Sequence, residues 1–277
     1  MLPILLAAAS AAVWGTSDFC GGKATQRANA LTVTVLSQCC GLPILALALA
    51  LAGGSPSVAA LGWGLVAGLA GFVGILLLYR GLAQGAMAIF APVTAISSAL
   101  VPMVAGLILE RAPSTLELVG AGCAILAIGM VSLTGGGRAK VTPRLVALAL
   151  TSGAMFGIFF TLLGRAGGAP AGLWPLLAVR VASVGAGLLV AARTRTGLRL
   201  RGRSLGFAML AGPLDILANV LYLEAAIRGL LSVVAPVAAL YPVSTVLLAF
   251  GVDRERVRPI QLTGLGLAAV ALVLVAS

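Results

Sequence analysis

Ala91-Pro92-Val93 and Ala235-Pro236-Val237 carry the same tripeptide 144 positions apart, and each is followed by a Glu-Arg step (Glu110-Arg111, Glu255-Arg256) and then by a glycine-opened apolar run. Upstream, Gly22-Lys23-Ala24 is echoed by Gly164-Arg165-Ala166, and Trp14-Gly15 by Phe156-Gly157, each at an offset of 142. The repeat therefore spans the chain. Both copies consist mainly of apolar stretches long enough to cross a bilayer, which is the construction of secondary transporters built from two homologous halves.

Composition points the same way. The 277 residues are 61% hydrophobic and 9% charged, with no His and a mean hydropathy of +1.15. Soluble domains are about 45–50% apolar and about 25% charged. A formal charge of +11 raises nucleic-acid binding, but the basic residues fall in short loops with no basic helix face or interleaved aromatics to read a base. They read instead as an orientation signal. Cys20, Cys39, Cys40 and Cys123 lack metal-ligand spacing and lie in or beside apolar segments, where Cys acts as a small hydrophobe. Neither a metal nor a cofactor is expected. The stretch Met1-Leu2-Pro3-Ile4-Leu5-Leu6 lacks a basic leader and runs on to about Cys20, as a first spanning helix would.

About 20 apolar residues are needed per crossing, and that rule gives ten helices: 2–22, 31–52, 58–79, 86–109 and 115–134, then 145–164, 171–192, 204–223, 230–250 and 259–276. The polar, glycine-rich 135–140 between them reads as a short linker. The expected fold is an all-α membrane protein of two five-helix repeats, 2–134 and 145–276. Five crossings per repeat is an odd number, so the second repeat is inverted, with a pseudo-twofold axis in the membrane plane and a substrate site near the midplane. The 36 glycines suit close helix contact in lipid.

Ten helices in two halves, Trp14-Gly15 in the first, Ala-Pro-Val in the fourth and ninth and Glu-Arg before the fifth and tenth together resemble the EamA-type drug/metabolite transporter superfamily over essentially the whole chain. The resemblance implies a multi-pass protein of the bacterial inner membrane, an exporter or permease for amino acids and other small metabolites. One departure stands out. The second helix carries Gln38 where the seventh carries Arg180, and the family resemblance implies a basic residue at both.

Polar residues within the apolar runs are the site candidates, because a charge at the bilayer centre costs about 2.5–3.5 kcal/mol even on insertion scales. Asp215, Asn219 and Tyr222, spaced i, i+4, i+7, form one stripe on the eighth helix. Arg180 on the seventh is the conspicuous buried cation, with Asp215 as its expected partner; the pair either works in transport or merely locks two helices. Trp14 and Asp18 share a face of the first helix, and Asp18 reads equally as a cavity residue or as an interfacial carboxylate beside Lys23. Pro92, Pro102, Pro236 and Pro242 interrupt the ladders of helices four and nine. The nearby hydroxyls of Thr94, Ser97, Ser98, Tyr241 and Ser244 either bind substrate or bond back to their own helix. Glu224 with Arg228, and Glu110 with Arg111, read as interfacial pairs.

No catalytic constellation emerges: there is no acid pair at catalytic spacing, no phosphate loop and no nucleophile with a base. The expected function is secondary transport of a small organic solute, an amino acid or drug-like molecule, by alternating access. Export driven by protons through Asp215 is the leading mechanism. The rivals are an uncoupled facilitator or an exchanger in which Arg180 binds an anionic metabolite, and outside transport a structural membrane protein or an intramembrane hydrolase. Expected partners are the solute, the lipid bilayer and protons, with a monomer or homodimer and no nucleic acid.

Of the 18 Lys and Arg, only Arg111, Arg165 and Arg228 fall in even-numbered loops and Arg180 within a helix, the remainder lying in odd-numbered loops. The positive-inside rule then places odd loops in the cytoplasm and both termini outside; the family resemblance implies cytoplasmic termini. A C-terminal fusion to a reporter that fluoresces only in the cytoplasm is expected to stay dark. A bright cell would put the termini inside.

Overall fold

A computed structural model describes residues 1–83, 87–133, 142–167, 171–253 and 258–276. The linker 135–140 and the basic residues Arg138, Lys140, Arg254 and Arg256 lie outside them, as does Glu255, and of Pro92 only the backbone is described. The helices are α1 (Leu2–Thr25), α2 (Ala30–Ala52), α3 (Val58–Ala83), α4 (Met87–Leu109), α5 (Thr115–Ser132), α6 (Pro143–Ala166), α7 (Trp174–Thr194), α8 (Gly202–Arg228), α9 (Leu231–Ala238), α10 (Tyr241–Asp253) and α11 (Pro259–Ala276), with no strand among the described residues. Among the described residues nine spans are long and apolar enough to cross a bilayer, counting Leu231–Val252 as one, and α4 carries the shorter apolar run Val93–Leu109. Their outward faces present Leu47, Ile108, Leu126, Val181, Leu189 and Val273, a surface suited to lipid rather than water.

Local chemistry sets the ends. Ser114 and Glu117 form a reciprocal capping box that starts α5, satisfying two otherwise orphaned donors. Asn29 and Thr142 cap α2 and α6 through their side chains. The seventh helix starts at Trp174 rather than 171, because Gly172 takes a positive φ of 50° and Pro175 lies in the first turn.

The ninth crossing departs most from an unbroken helix. It stops at Ala238 and resumes at Tyr241, where Leu240 N–H turns back to the Val237 carbonyl at 3.1 Å. Pro242 has no N–H to offer the Ala238 carbonyl, and Pro236 already weakens the preceding turn. The position equivalent to Pro242 in the first repeat is Ser98, and α4 runs through it uninterrupted.

Loop contacts report the crossings. Trp174 Nε1 donates to the Gly54 carbonyl at 3.2 Å, and Leu231 N–H to Glu110 Oε2 at 2.7 Å, so the even-numbered loops share one end of the bundle. At the other end Thr32 Oγ1 donates to the Gly197 carbonyl and Gln261 Nε2 to the Val131 carbonyl.

Dense packing joins one repeat to the other, as in α1 on α8, α3 on α6, α2 on α8, α3 on α7 and α5 on α11. Each pairing maps onto another, or onto itself, when the repeats are exchanged, as an inverted repeat requires. The symmetry reaches single atoms. Ser10 Oγ donates to the Ala218 carbonyl and Ser152 Oγ to the Gly74 carbonyl, both at 2.8 Å, and these residues are equivalent at offsets of 142 and 144. Likewise a Cβ on Gly212 would stand 1.9 Å from the Ser37 carbonyl oxygen, and one on the equivalent Gly68 would stand 2.4 Å from the Val179 oxygen. Small residues therefore bring backbone against backbone, the contact that drives association in lipid.

Gly212→Ala is expected to lower the thermal midpoint of the detergent-solubilised protein, since overpacking against a carbonyl costs about 1–3 kcal/mol. Gly206→Ala on the same helix, where a Cβ meets nothing within 4 Å, is expected to leave it unchanged or raised. Equal behaviour of the two variants would show that the α2–α8 contact is not close.

Candidate functional site

Between the repeats lies a cavity, partly open to solvent, lined by α1, α2, α3, α6, α7, α8 and the start of α10. It brings together seven residues singled out from the sequence: Trp14, Asp18, Gln38, Arg180, Asp215, Asn219 and Tyr241.

Asp215 is the junction of this group. Its Oδ1 accepts from Trp14 Nε1 at 3.0 Å, and its Oδ2 accepts from Arg180 Nη2 and, at 3.2 Å, from Asn219 Nδ2. Three donors from α1, α7 and α8 thus converge on one carboxyl group. Arg180 is 4% exposed and Asp215 32%, so the cation is the deeper member and the acid faces the cavity. Asn219 also donates to the Asp215 carbonyl at 2.6 Å, which is the i, i+4 relation read along the eighth helix. Beside Arg180, Ser183 donates to Gln38 Oε1. The uncharged Gln38 thereby links α2 to α7 where the resemblance implied a second cation.

Two buried polar atoms here, Arg180 Nε and Asn219 Oδ1, have no partner among the described residues. Asp18, one turn along α1 from Trp14, lines the cavity and is within electrostatic reach of Asp215 and Tyr241. Of its two open readings, the structure places it at the cavity. Lys23 Nζ instead lies 5.4 Å from the centroid of the Phe19 ring.

The remaining candidates lie elsewhere. Tyr222 is fully buried, and its hydroxyl donates to the Phe160 carbonyl at 2.8 Å. It sits one turn beyond Asn219, where its ring packs 5.7 Å from Trp14 and 5.2 Å from Phe160. Thr94 Oγ1 donates to the Ala149 carbonyl at 3.2 Å, and Ser97 Oγ to the Val93 carbonyl of its own helix at 2.7 Å. The first ties α4 to α6 and the second stays within α4, and neither residue lines the cavity. Glu110 caps the start of α9 across the repeats instead of pairing with Arg111, while Arg228 pairs with Glu224 at the exposed end of α8.

Sequence reading missed the opposite wall. Phe72, Ile75 and Leu78 of α3 and Phe156, Phe159 and Phe160 of α6 face the polar groups, and Trp14 joins them with ring centroids 6.4 Å and 5.0 Å from Phe159 and Phe160. An apolar residue in an apolar helix carries no signal of its own. The available clue was Phe156, the counterpart of Trp14. Ser183, one turn from Arg180, was likewise visible only as its helical neighbour.

Nine membrane-length apolar spans and a shorter apolar helix among the described residues, arranged as an inverted repeat around a cavity with buried charge, make this an integral multi-pass membrane protein. Residues 1–133 match the model of the EamA-like transporter family. The match covers just under half of the chain and is consistent with a member of the drug/metabolite transporter superfamily. A solved crystal structure of a protein 15% identical to this chain superposes with a TM-score of 0.78, covering 98% of this chain and 95% of that one. Identity that low carries the fold alone. No curated protein matches the chain.

The unequal burial of the pair has a measurable consequence. Asp215→Asn leaves the deeper charge, Arg180, without its counter-ion, whereas Arg180→Ala leaves Asp215 its Trp14 and Asn219 donors and a cavity face. Breaking a buried pair costs about 3–5 kcal/mol. Asp215→Asn is therefore expected to lower the thermal midpoint more than Arg180→Ala, and the double variant Arg180→Gln, Asp215→Asn to recover most of the loss. Additive losses in the double variant would dissolve the pair as an energetic unit.

Proposed function

We propose that this protein is a secondary transporter that exports a small organic solute from the bacterial cytoplasm by alternating access, coupled to protons. The convergence of Trp14, Arg180 and Asn219 on the Asp215 carboxylate, in a cavity between the repeats, carries the reading. A proton arriving at Asp215 removes the charge that all three donors serve. The ties from α8 to α1 and α7 then weaken together, and the repeats, 2–134 and 145–276, rock about the close glycine contacts. The break at Ala239–Leu240, with Tyr241 on the cavity side, supplies a joint in the ninth crossing.

In this reading Trp14, Asp18, Gln38, Arg180, Asp215, Asn219 and Tyr241 contact solute or proton, and Thr94, Ser97 and Tyr222 position the helices that carry them. The charge asymmetry of the loops supports odd-numbered loops on the cytoplasmic side. A second reading, exchange of anionic metabolites on Arg180, is favoured by its unpartnered Nε.

Proteoliposomes holding a pH-sensitive dye separate the two. Screening amino acids, amines and organic acids by thermal shift identifies a solute that stabilises the protein by mass action. Proton-coupled export predicts that this solute moves protons across the wild-type membrane, and that Arg180→Gln, Asp215→Asn binds it without proton movement. Transport at the wild-type rate by that variant, or solute exchange with no proton movement, would transfer the reading to the exchanger.

A further inference from the structure

The two walls of the cavity are built from equivalent positions of the two repeats, yet their chemistry is opposite. Asp18 on α1 corresponds to Phe160 on α6, and Asp215 and Asn219 on α8 correspond to Gly71 and Ile75 on α3. One wall is acidic and the other aromatic and aliphatic. A solute lying across the pseudo-twofold axis therefore meets polar groups at one end and apolar side chains along the other.

The charges give the polar end a sign. Among the described residues lining the cavity, Asp18 and Asp215 are acidic and Arg180 is basic. Arg180 is 4% exposed and gives its Nη2 to Asp215, so Asp18 is the acidic side chain of this wall with no cation held against it among the described residues. The uncommitted polar atom of α8 has the same preference: Asn219 Nδ2 is occupied by Asp215, while Oδ1, in a residue 3% exposed, is an acceptor with no donor among the described residues. Trp14, one turn from Asp18 on α1, also lines the cavity with an aromatic ring, and such a ring attracts cations.

We infer that the cavity binds an amphipathic primary amine, its ammonium seated between Asp18, Asn219 Oδ1 and the Trp14 ring and its apolar body against Phe72, Ile75 and Phe156. This deepens the transporter reading and rests on it. An ammonium has only donors and so satisfies both acceptors. A carboxylate on the same solute would face Asp18 and Asp215, with the guanidinium shielded behind them. Amines are thus preferred to the zwitterions and acids of the same body. The amine and a proton on Asp215 bring like charge to neighbouring carboxyls, so the binding of one opposes the binding of the other. Amine and proton then replace one another, which is the condition for antiport.

Phenethylamine, phenylalanine and 3-phenylpropionate share a phenyl body and differ in charge. Calorimetry on the full chain in lipid nanodiscs is expected to show phenethylamine binding about tenfold or more tighter than either of the others, the discrimination of one lost ionic hydrogen bond. Asp18→Asn is expected to erase that preference and Asp18→Glu to retain it. The ranking in the wild-type chain tests the charge preference even if Asp18→Asn fails to fold. Binding of phenylalanine or 3-phenylpropionate as tightly as the amine, binding of none of the three, or a preference unchanged in folded Asp18→Asn would overturn the inference. Labelled solutes in proteoliposomes keep it distinct from the broader reading. Amine bound but never carried across would defeat the transporter and leave the ammonium site standing. Carriage of the acid or zwitterion in place of the amine would do the reverse.

Discussion

Backbone-to-backbone contact between the repeats is the constraint on which the rest of this molecule depends. In lipid, apolar side chains gain little by leaving the solvent, so association rests on close packing and interhelical hydrogen bonds. Gly212 against Ser37 and Gly68 against Val179 supply the first, and Ser10 and Ser152, each donating to a carbonyl across the interface, supply the second. Because these contacts join opposite repeats, neither half is a self-contained bundle. The space left between them becomes the cavity.

Symmetry holds where the scaffold packs and fails where solute would lie. The serines and glycines of the interface are conserved between the repeats as pairs, whereas the residues facing the cavity diverge, Asp18 opposite Phe160 and Asp215 opposite Gly71. The same divergence appears in the backbone, where Pro242 breaks the ninth crossing and the equivalent Ser98 leaves the fourth continuous. A twofold scaffold with an asymmetric lining can bind an asymmetric solute in one orientation while still exchanging the roles of its halves.

The carboxylate of Asp215 carries the electrostatic consequence of that asymmetry. A single acid serving donors from α1, α7 and α8 makes helix positions depend on one charge, because in a medium of low dielectric an unmatched ionised group is far costlier than a matched one. Asp18 stands beside this group, so charge arriving at one acid is felt by the other.

Apolar runs of bilayer length, the repeat offsets and the odd number of crossings per half were legible in the sequence, and they suffice for the fold because lipid admits few ways to satisfy a backbone. The i, i+4 spacing of Asp215 and Asn219, the burial of Arg180 and the shared face of Trp14 and Asp18 were legible for the same reason: charge and helical period are local properties. Tertiary structure alone decided that Trp14 donates to Asp215 across the two repeats, that Tyr222 turns to the Phe160 carbonyl instead of the cavity, and that Phe159, Phe160 and Ile75 form the second wall. Those outcomes depend on which helix faces meet, and in a chain apolar on nearly every face the sequence does not mark the faces that turn inward.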